Sequence, residues 1–122
     1  MDKERKKELQ AQYRQRKIMM GVIQIKNREN GKIFVGAYPD LNNHWQNLQT
    51  RLDSGLFSSG ALVRDWKTYG AGAFTCEVLE EAEQPEGSTP ETVRQQLNKM
   101  AREWMELLEP YGEKGYNRKA AW

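Results

Sequence analysis

Gly21-Val22-Ile23-Gln24-Ile25-Lys26 and Lys32-Ile33-Phe34-Val35 are two short runs rich in β-branched and aromatic residues, separated by Asn27-Arg28-Glu29-Asn30-Gly31. The closing Asn-Gly pair favours a tight turn, because both residue types accept positive φ at low cost. The segment is expected to form an antiparallel hairpin.

Downstream of Gly36 the chain is expected to turn at Pro39-Asp40, with Tyr38 as an exposed turn residue. Leu41, Trp45, Leu48 and Leu52 then recur at i, i+4, i+7 and i+11, one face of an amphipathic helix that ends near Ser54-Gly55. Ser58 or Ser59 can cap a second helix carrying Leu62, Val63, Trp66 and Tyr69, closed by Gly70. Over residues 73–80, Phe74, Cys76 and Val78 alternate with Thr75, Glu77 and Glu80, the period of a strand with one buried face. An acidic connector leads to Thr89-Pro90-Glu91, which has the capping hydroxyl, first-turn proline and early carboxylate of a helix start. The stripe Val93, Leu97, Met100, Trp104 and Leu107 or Leu108 should face the sheet, and Pro110 ends the helix.

Upstream, residues 2 to about 17 contain strong helix formers and no Gly or Pro, with Leu9 and Tyr13 as an i, i+4 apolar pair. The expected order is α-β-β-α-α-β-α, an α/β (α+β) domain with a three-stranded antiparallel sheet flanked by helices. Residues 1–19 form a basic helix appended to a domain of residues 20–117, and residues 118–122 a tail whose Trp122 has no packing partner in this scheme.

A chain of 122 residues, 30% charged and 38% hydrophobic, suits one compact domain. The single cysteine, Cys76, excludes an intramolecular disulfide and a cysteine-rich zinc cluster, and no apolar run approaches a membrane span. The charged N-terminus lacks the pattern of a secretory signal, so a cytoplasmic location is expected. The net charge of +2 is unevenly spread: Lys3, Arg5, Lys6, Lys7, Arg14, Arg16 and Lys17 outnumber Asp2, Glu4 and Glu8, leaving the rest of the chain at −2. Those seven residues are candidate phosphate contacts through counterion release, although a mixed-charge helix is more often a solvated one.

For chemistry the residues alone say little. His44 is the only histidine, so paired-histidine metal sites are impossible, and the glycines lack the spacing of a phosphate loop. Asp40, Asp53, Asp65 and Glu103 are available for a magnesium site, but sequence does not bring them together.

The hairpin residues Gly21-Val22-Ile23, Asn30-Gly31-Lys32 and Phe34-Val35-Gly36 resemble the paired signature of the GIY-YIG nuclease superfamily. Leu52-Asp53-Ser54-Gly55, the stretch from Leu62 through Asp65-Trp66-Lys67 to Gly70, Phe74 with Val78-Leu79-Glu80-Glu81, Trp104 and Gly115-Tyr116-Asn117 extend the resemblance across residues 20–117. It is to a small, divergent bacterial member. The family cuts phosphodiesters with a tyrosine in each tripeptide, an arginine on the next helix and a metal-holding glutamate on a later one. Phenols position water, a guanidinium stabilises phosphate charge, and a carboxylate holds the cation.

At those four positions this chain has Ile23, Phe34, His44 and Ala101. The resemblance therefore implies a domain impaired in catalysis that binds nucleic acid, DNA above all, or a protein partner. No cofactor is expected; Mg2+ or Mn2+ enters only if nuclease activity is retained through His44, Tyr38 and Glu103. Glu103 is a poor substitute, because two residues on a helix rotate it about 200° from Ala101. A third reading makes residues 41–70 the helix-turn-helix of a transcriptional regulator, with Arg64 and Lys67 on its second helix. A linker of about six residues and the apolar Leu62, Val63 and Trp66 weigh against it.

Overall fold

The computed structural model describes residues 18–118. The helix expected over residues 2–17, its seven basic residues and Trp122 lie outside the described residues; Met19, expected to belong with that helix, is a strand residue instead. The elements are β1 (Met19–Asn27), β2 (Ile33–Tyr38), α1 (His44–Ser54), α2 (Gly60–Tyr69), β3 (Phe74–Glu83) and α3 (Pro90–Leu108).

The strands form an antiparallel sheet in the order β2-β1-β3. The hairpin is closed by Gly31 at φ 77°, a conformation glycine adopts freely, and by the Gly31 amide bonding the Asn27 carbonyl at 2.8 Å. As the central strand, β1 is covered on both faces. Ile23 and Ile25 enter a cluster with Phe34, Leu48, Leu52, Phe57, Leu62, Trp66, Phe74 and Tyr116, beneath α1 and α2. Met20 and Val22 enter a second cluster on the opposite face with Val35, Val93, Leu97, Met100, Ala101 and Met105, beneath α3. Two covered faces explain why β1 reads as a nearly continuous apolar run.

Several boundaries differ from the sequence reading. β2 continues to Tyr38, which pairs with Gly21 and is a half-buried strand residue rather than an exposed turn residue. α1 begins at His44, so Leu41 reaches the core from the turn before it. In β3 the expected alternation holds for Phe74 and Cys76, but Val78 is 39% exposed. A bulge in the pairing with β1 sets Ile23 opposite Val78 and Val22 opposite Glu80, so Leu79 is the extra residue. Beyond the bulge Ala82 consequently turns toward the α3 cluster, which Leu79 also joins. At this bulge a Cβ on Gly21 would strike the Glu80 carbonyl oxygen, which explains the glycine sterically without any special φ.

Ser59 caps α2, its hydroxyl accepting from the Leu62 amide at 3.3 Å. Thr89 and Thr92 form a reciprocal capping box at the start of α3, with Pro90 in the first turn. The α3 stripe is Val93, Leu97, Met100, Ala101 and Met105; Trp104 is half-buried, and Leu107, expected as an alternative to Leu108, is 72% exposed. Trp104 donates to Glu80 at 2.8 Å.

The chain end returns to the hairpin. Fully buried Asn27 donates to the Tyr116 hydroxyl at 3.2 Å, and that hydroxyl donates to Asp65 of α2 at 2.8 Å. Asn117 bonds both the amide (2.9 Å) and the carbonyl (2.8 Å) of Val35. Gly115 passes so close to the Pro110 and Ile33 carbonyls that a side chain there would collide with backbone.

Burial pushes the Tyr38 phenol up to about 12, against the opposing pull of Arg51, and burial likewise pushes Tyr116 up to about 12. Both groups ionise less readily than in the unfolded chain, so folded-state stability should be unaffected below pH 10 and fall as pH rises from about 10 toward 12. Absorbance titration of the folded protein should show these two phenols ionising after the ordinary range, and Tyr38→Phe should remove one late step; ordinary titration of all tyrosines would contradict the burial. Gly21→Ala should lower stability by roughly 1–3 kcal/mol in urea unfolding through overpacking at the bulge. An unchanged midpoint would show that β3 can move aside.

Candidate functional site

The face of the sheet beneath α1 and α2 carries Ile23 and Phe34 of the two signature tripeptides, while Val22 and Val35 point to the opposite face beneath α3. β-strand alternation puts Ile23 and Ile25 of β1, and Phe34, Gly36 and Tyr38 of β2, on this face, with Ile23 opposite Gly36 and Ile25 opposite Phe34. Phe34 packs edge-on against Phe57 with ring centroids 5.0 Å apart. A Cβ on Gly36 would lie 2.9 Å from the Phe34 ring, 3.0 Å from the Tyr38 ring and 3.1 Å from the Tyr38 hydroxyl. The two rings therefore close over the glycine, and the Tyr38 phenol leans back along β2 toward Phe34. Cys76 packs against the same cluster, its thiol pushed up to about 11 by burial.

His44 is the first residue of α1. Its Nδ1 lies 2.6 Å from the Leu41 carbonyl, which can only accept, so Nδ1 carries the proton and Nε2 is the ring's remaining site. Residue 43 before it adopts φ 56° and supplies no side-chain cap, so the ring–carbonyl bond is the local tie at this helix start. Next along the helix, Trp45 stacks edge-on against Trp66 at 5.9 Å, and Trp66 donates to Asp53 at 2.8 Å.

Arg51 was not singled out by the sequence reading. It lies two turns beyond His44 on the same helix face, and its charge acts on the Tyr38 phenol. The i, i+7 spacing from His44 was the available signal. Among the described residues Arg51 makes no ion pair, so a cation, a histidine and a phenol belong to the α1 side of the site.

Ala101 is not on this face. It is 4% exposed within the apolar cluster under α3, across the sheet from Ile23 and Phe34. Glu103 is exposed on the outer side of α3. Asp40 is exposed, with Oδ1 accepting from the Asn42 amide at 2.9 Å; Asp53 is committed to Trp66, and Asp65 to Tyr116 and Asn30. Among the described residues no three His, Cys, Asp or Glu side chains come together to hold a metal ion. The described side chains do not fit a divalent cation at Ala101, whose methyl sits in an apolar cluster that offers no anionic oxygen.

The linker between α1 and α2 spans residues 55–59, and α2 turns Leu62 and Trp66 into the core, so its apolar side is closed against the sheet. A groove of about 500 Å³ lies elsewhere, between the end of β2 and the start of α3, floored by Ala37, Pro39, Val93 and Leu97 and edged by Arg94 and Asn98. No helix among the described residues is long and apolar enough to cross a membrane.

No protein-family model matches the chain. Intron-associated endonuclease 1 of Enterobacteria phage T4 is 38% identical over 61 residues, half of this chain and 24% of that protein, so the chain spans about a quarter of that relative's length. Two solved structures are similar over most of the chain. The catalytic domain of intron endonuclease I-TevI, in a mutant form with one glutamate replaced by alanine, is 30% identical with a TM-score of 0.64, covering 82% of this chain and 93% of that one. The catalytic domain of homing endonuclease I-TevI is 30% identical with a TM-score of 0.60, covering 83% and 99%. Signature glycines held by steric contact, the three-stranded sheet and an identity that runs through nearly all of a solved catalytic domain together place this chain in the GIY-YIG nuclease superfamily.

Proposed function

We propose that this domain engages DNA without cutting it by the family's metal-dependent route. The observation that carries the reading is the buried methyl of Ala101, a member of the apolar cluster of Val35, Val93, Leu97, Met100 and Met105, where the family resemblance calls for the metal-holding carboxylate. Hard cations depend on anionic oxygen, and no side chain in that cluster supplies one. Ile23 and Phe34 support the same reading. Both are buried and packed, so they serve the core where tyrosine hydroxyls would serve the reaction. His44 replaces a permanently charged, bidentate guanidinium with a smaller ring already tied to Leu41. DNA as the ligand follows from the relatives, which are endonucleases by name. A protein partner is the outcome if no nucleic acid binds.

One observation favours a second reading, a nuclease with a rearranged site. The Tyr38 hydroxyl overhangs Gly36 beside Phe34, with Arg51 acting on it and His44 on the same helix. This arrangement offers a phenol, a cation and an imidazole but lacks a carboxylate, since Glu103 faces away on α3.

One titration separates the readings: labelled duplex or branched DNA is mixed with the full chain and magnesium or manganese, and binding and cleavage are read together. Salt-sensitive binding with no cleavage at high protein concentration is expected. Metal-dependent nicking that a chelator stops would overturn the non-cutting assignment. Were nicking seen, Tyr38→Phe and His44→Ala should each abolish it if the rearranged site is responsible; retained nicking in both would exclude that site.

A further inference from the structure

Basic residues gather at the hairpin-turn end of the sheet, where the returning chain end also brings Glu109, Glu113, Lys114 and Arg118 and where Glu77 pairs opposite Gln24. Residues 26–32 and 64–67 carry Lys26, Arg28, Lys32, Arg64 and Lys67 against Glu29 and Asp65. Residues 77–91 carry six glutamates and no lysine or arginine. The pairing of β1 with β3 sets Lys26 opposite Thr75 and sets Met19 through Val22 opposite the run from Glu83 to Glu80. Seven residues of strand separate Met19 from Lys26, roughly 23 Å at 3.3 Å per residue. Such a distance is well beyond the screening length of about 8 Å at physiological salt, so the acidic end does not cancel the basic one.

The basic end is also rigidly built. Arg28 donates through Nη2 to the Gly72 carbonyl, and its amide bonds the Ala73 carbonyl at 2.9 Å, fixing the hairpin turn to the connector before β3. Asn30 donates to Asp65 at 3.1 Å, fixing the same turn to α2 beside Arg64. Lys32 Nζ sits 5.9 Å from the centre of the Tyr116 ring, whose hydroxyl holds Asp65. Asp65 is thus occupied by Tyr116 and Asn30, and among the described residues Lys26, Lys32 and Arg64 make no ion pair.

We infer that the hairpin-turn end of the domain, through Lys26, Arg28, Lys32 and Arg64, is the surface that contacts the DNA phosphate backbone, while the glutamate-rich end of β3 is held away from it. The inference rests on the DNA-binding reading above. A group of cations on a backbone that is already fixed neutralises phosphates without ordering a loop, and release of condensed counterions makes such binding steeply salt-dependent. Phosphate contacts position a protein on the duplex without reading sequence, so this surface sets affinity and orientation rather than specificity.

The test compares the full chain with Lys26→Ala, Lys32→Ala, Arg64→Ala and their triple combination on a labelled duplex across a salt series, with Arg94→Ala at the opposite end as control. Arg28 is left intact because it ties down the turn. The log-log salt slope should become shallower by roughly 0.9 for each contact removed, additively in the triple variant, with Arg94→Ala unchanged and all thermal unfolding midpoints near that of the parent. Undiminished slope and affinity in the triple variant, with the parent still binding, would overturn this surface while leaving the DNA reading intact. A parent chain that binds no duplex at low salt would overturn both.

Discussion

The Tyr116 hydroxyl stands between Asn27 and Asp65, and the rest of the architecture depends on that three-residue contact. Asn27 ends the central strand and is fully buried, so its amide must find partners inside the protein. Tyr116 supplies one, and the Glu29 amide bonds its Oδ1 at 2.9 Å. Through Asp65 the same hydroxyl reaches α2. The hairpin turn, a helix and the end of the chain, far apart in sequence, are thereby fixed to one another. Asn117 completes the tie by serving as a surrogate strand partner to Val35 on the open edge of β2.

This construction explains how the domain keeps its family's frame while its signature face changes. The glycines of the tripeptides answer to neighbours: Gly21 to the Glu80 carbonyl, Gly36 to the rings of Phe34 and Tyr38. Those contacts are steric and persist whatever chemistry the face performs. Ile23 and Phe34 satisfy the same packing with apolar atoms, and Phe34 gains an aromatic partner in Phe57. Stability and catalysis make separable demands on these positions, because the core needs volume and shape while the reaction needs hydroxyl, guanidinium and carboxylate groups.

Charge distribution is the feature most directly linked to a nucleic-acid role. The net charge of the chain is only +2 and conveys little by itself. Antiparallel pairing places Glu80, Glu81 and Glu83 of β3 at one end of the sheet and Lys26, Arg28 and Lys32 of the hairpin at the other, so a nearly neutral chain carries local patches of opposite sign.

The sequence by itself determined the hairpin, the cap at Thr89, a cap at Ser58 or Ser59 and the order of the described elements, because each depends on local conformational preference or on a period of two or 3.6 residues. Tertiary structure alone decided the bulge that redirects Ala82, since a bulge exists only in the pairing of two strands. It alone turned Tyr38 from a turn residue into a half-buried phenol over Gly36, and set Arg51 where its charge reaches that phenol. It also placed Ala101 across the sheet from Ile23 and Phe34. Such facts depend on which faces of separate elements meet, and long-range packing, set by the Asn27–Tyr116–Asp65 contact among others, is what brings those faces together.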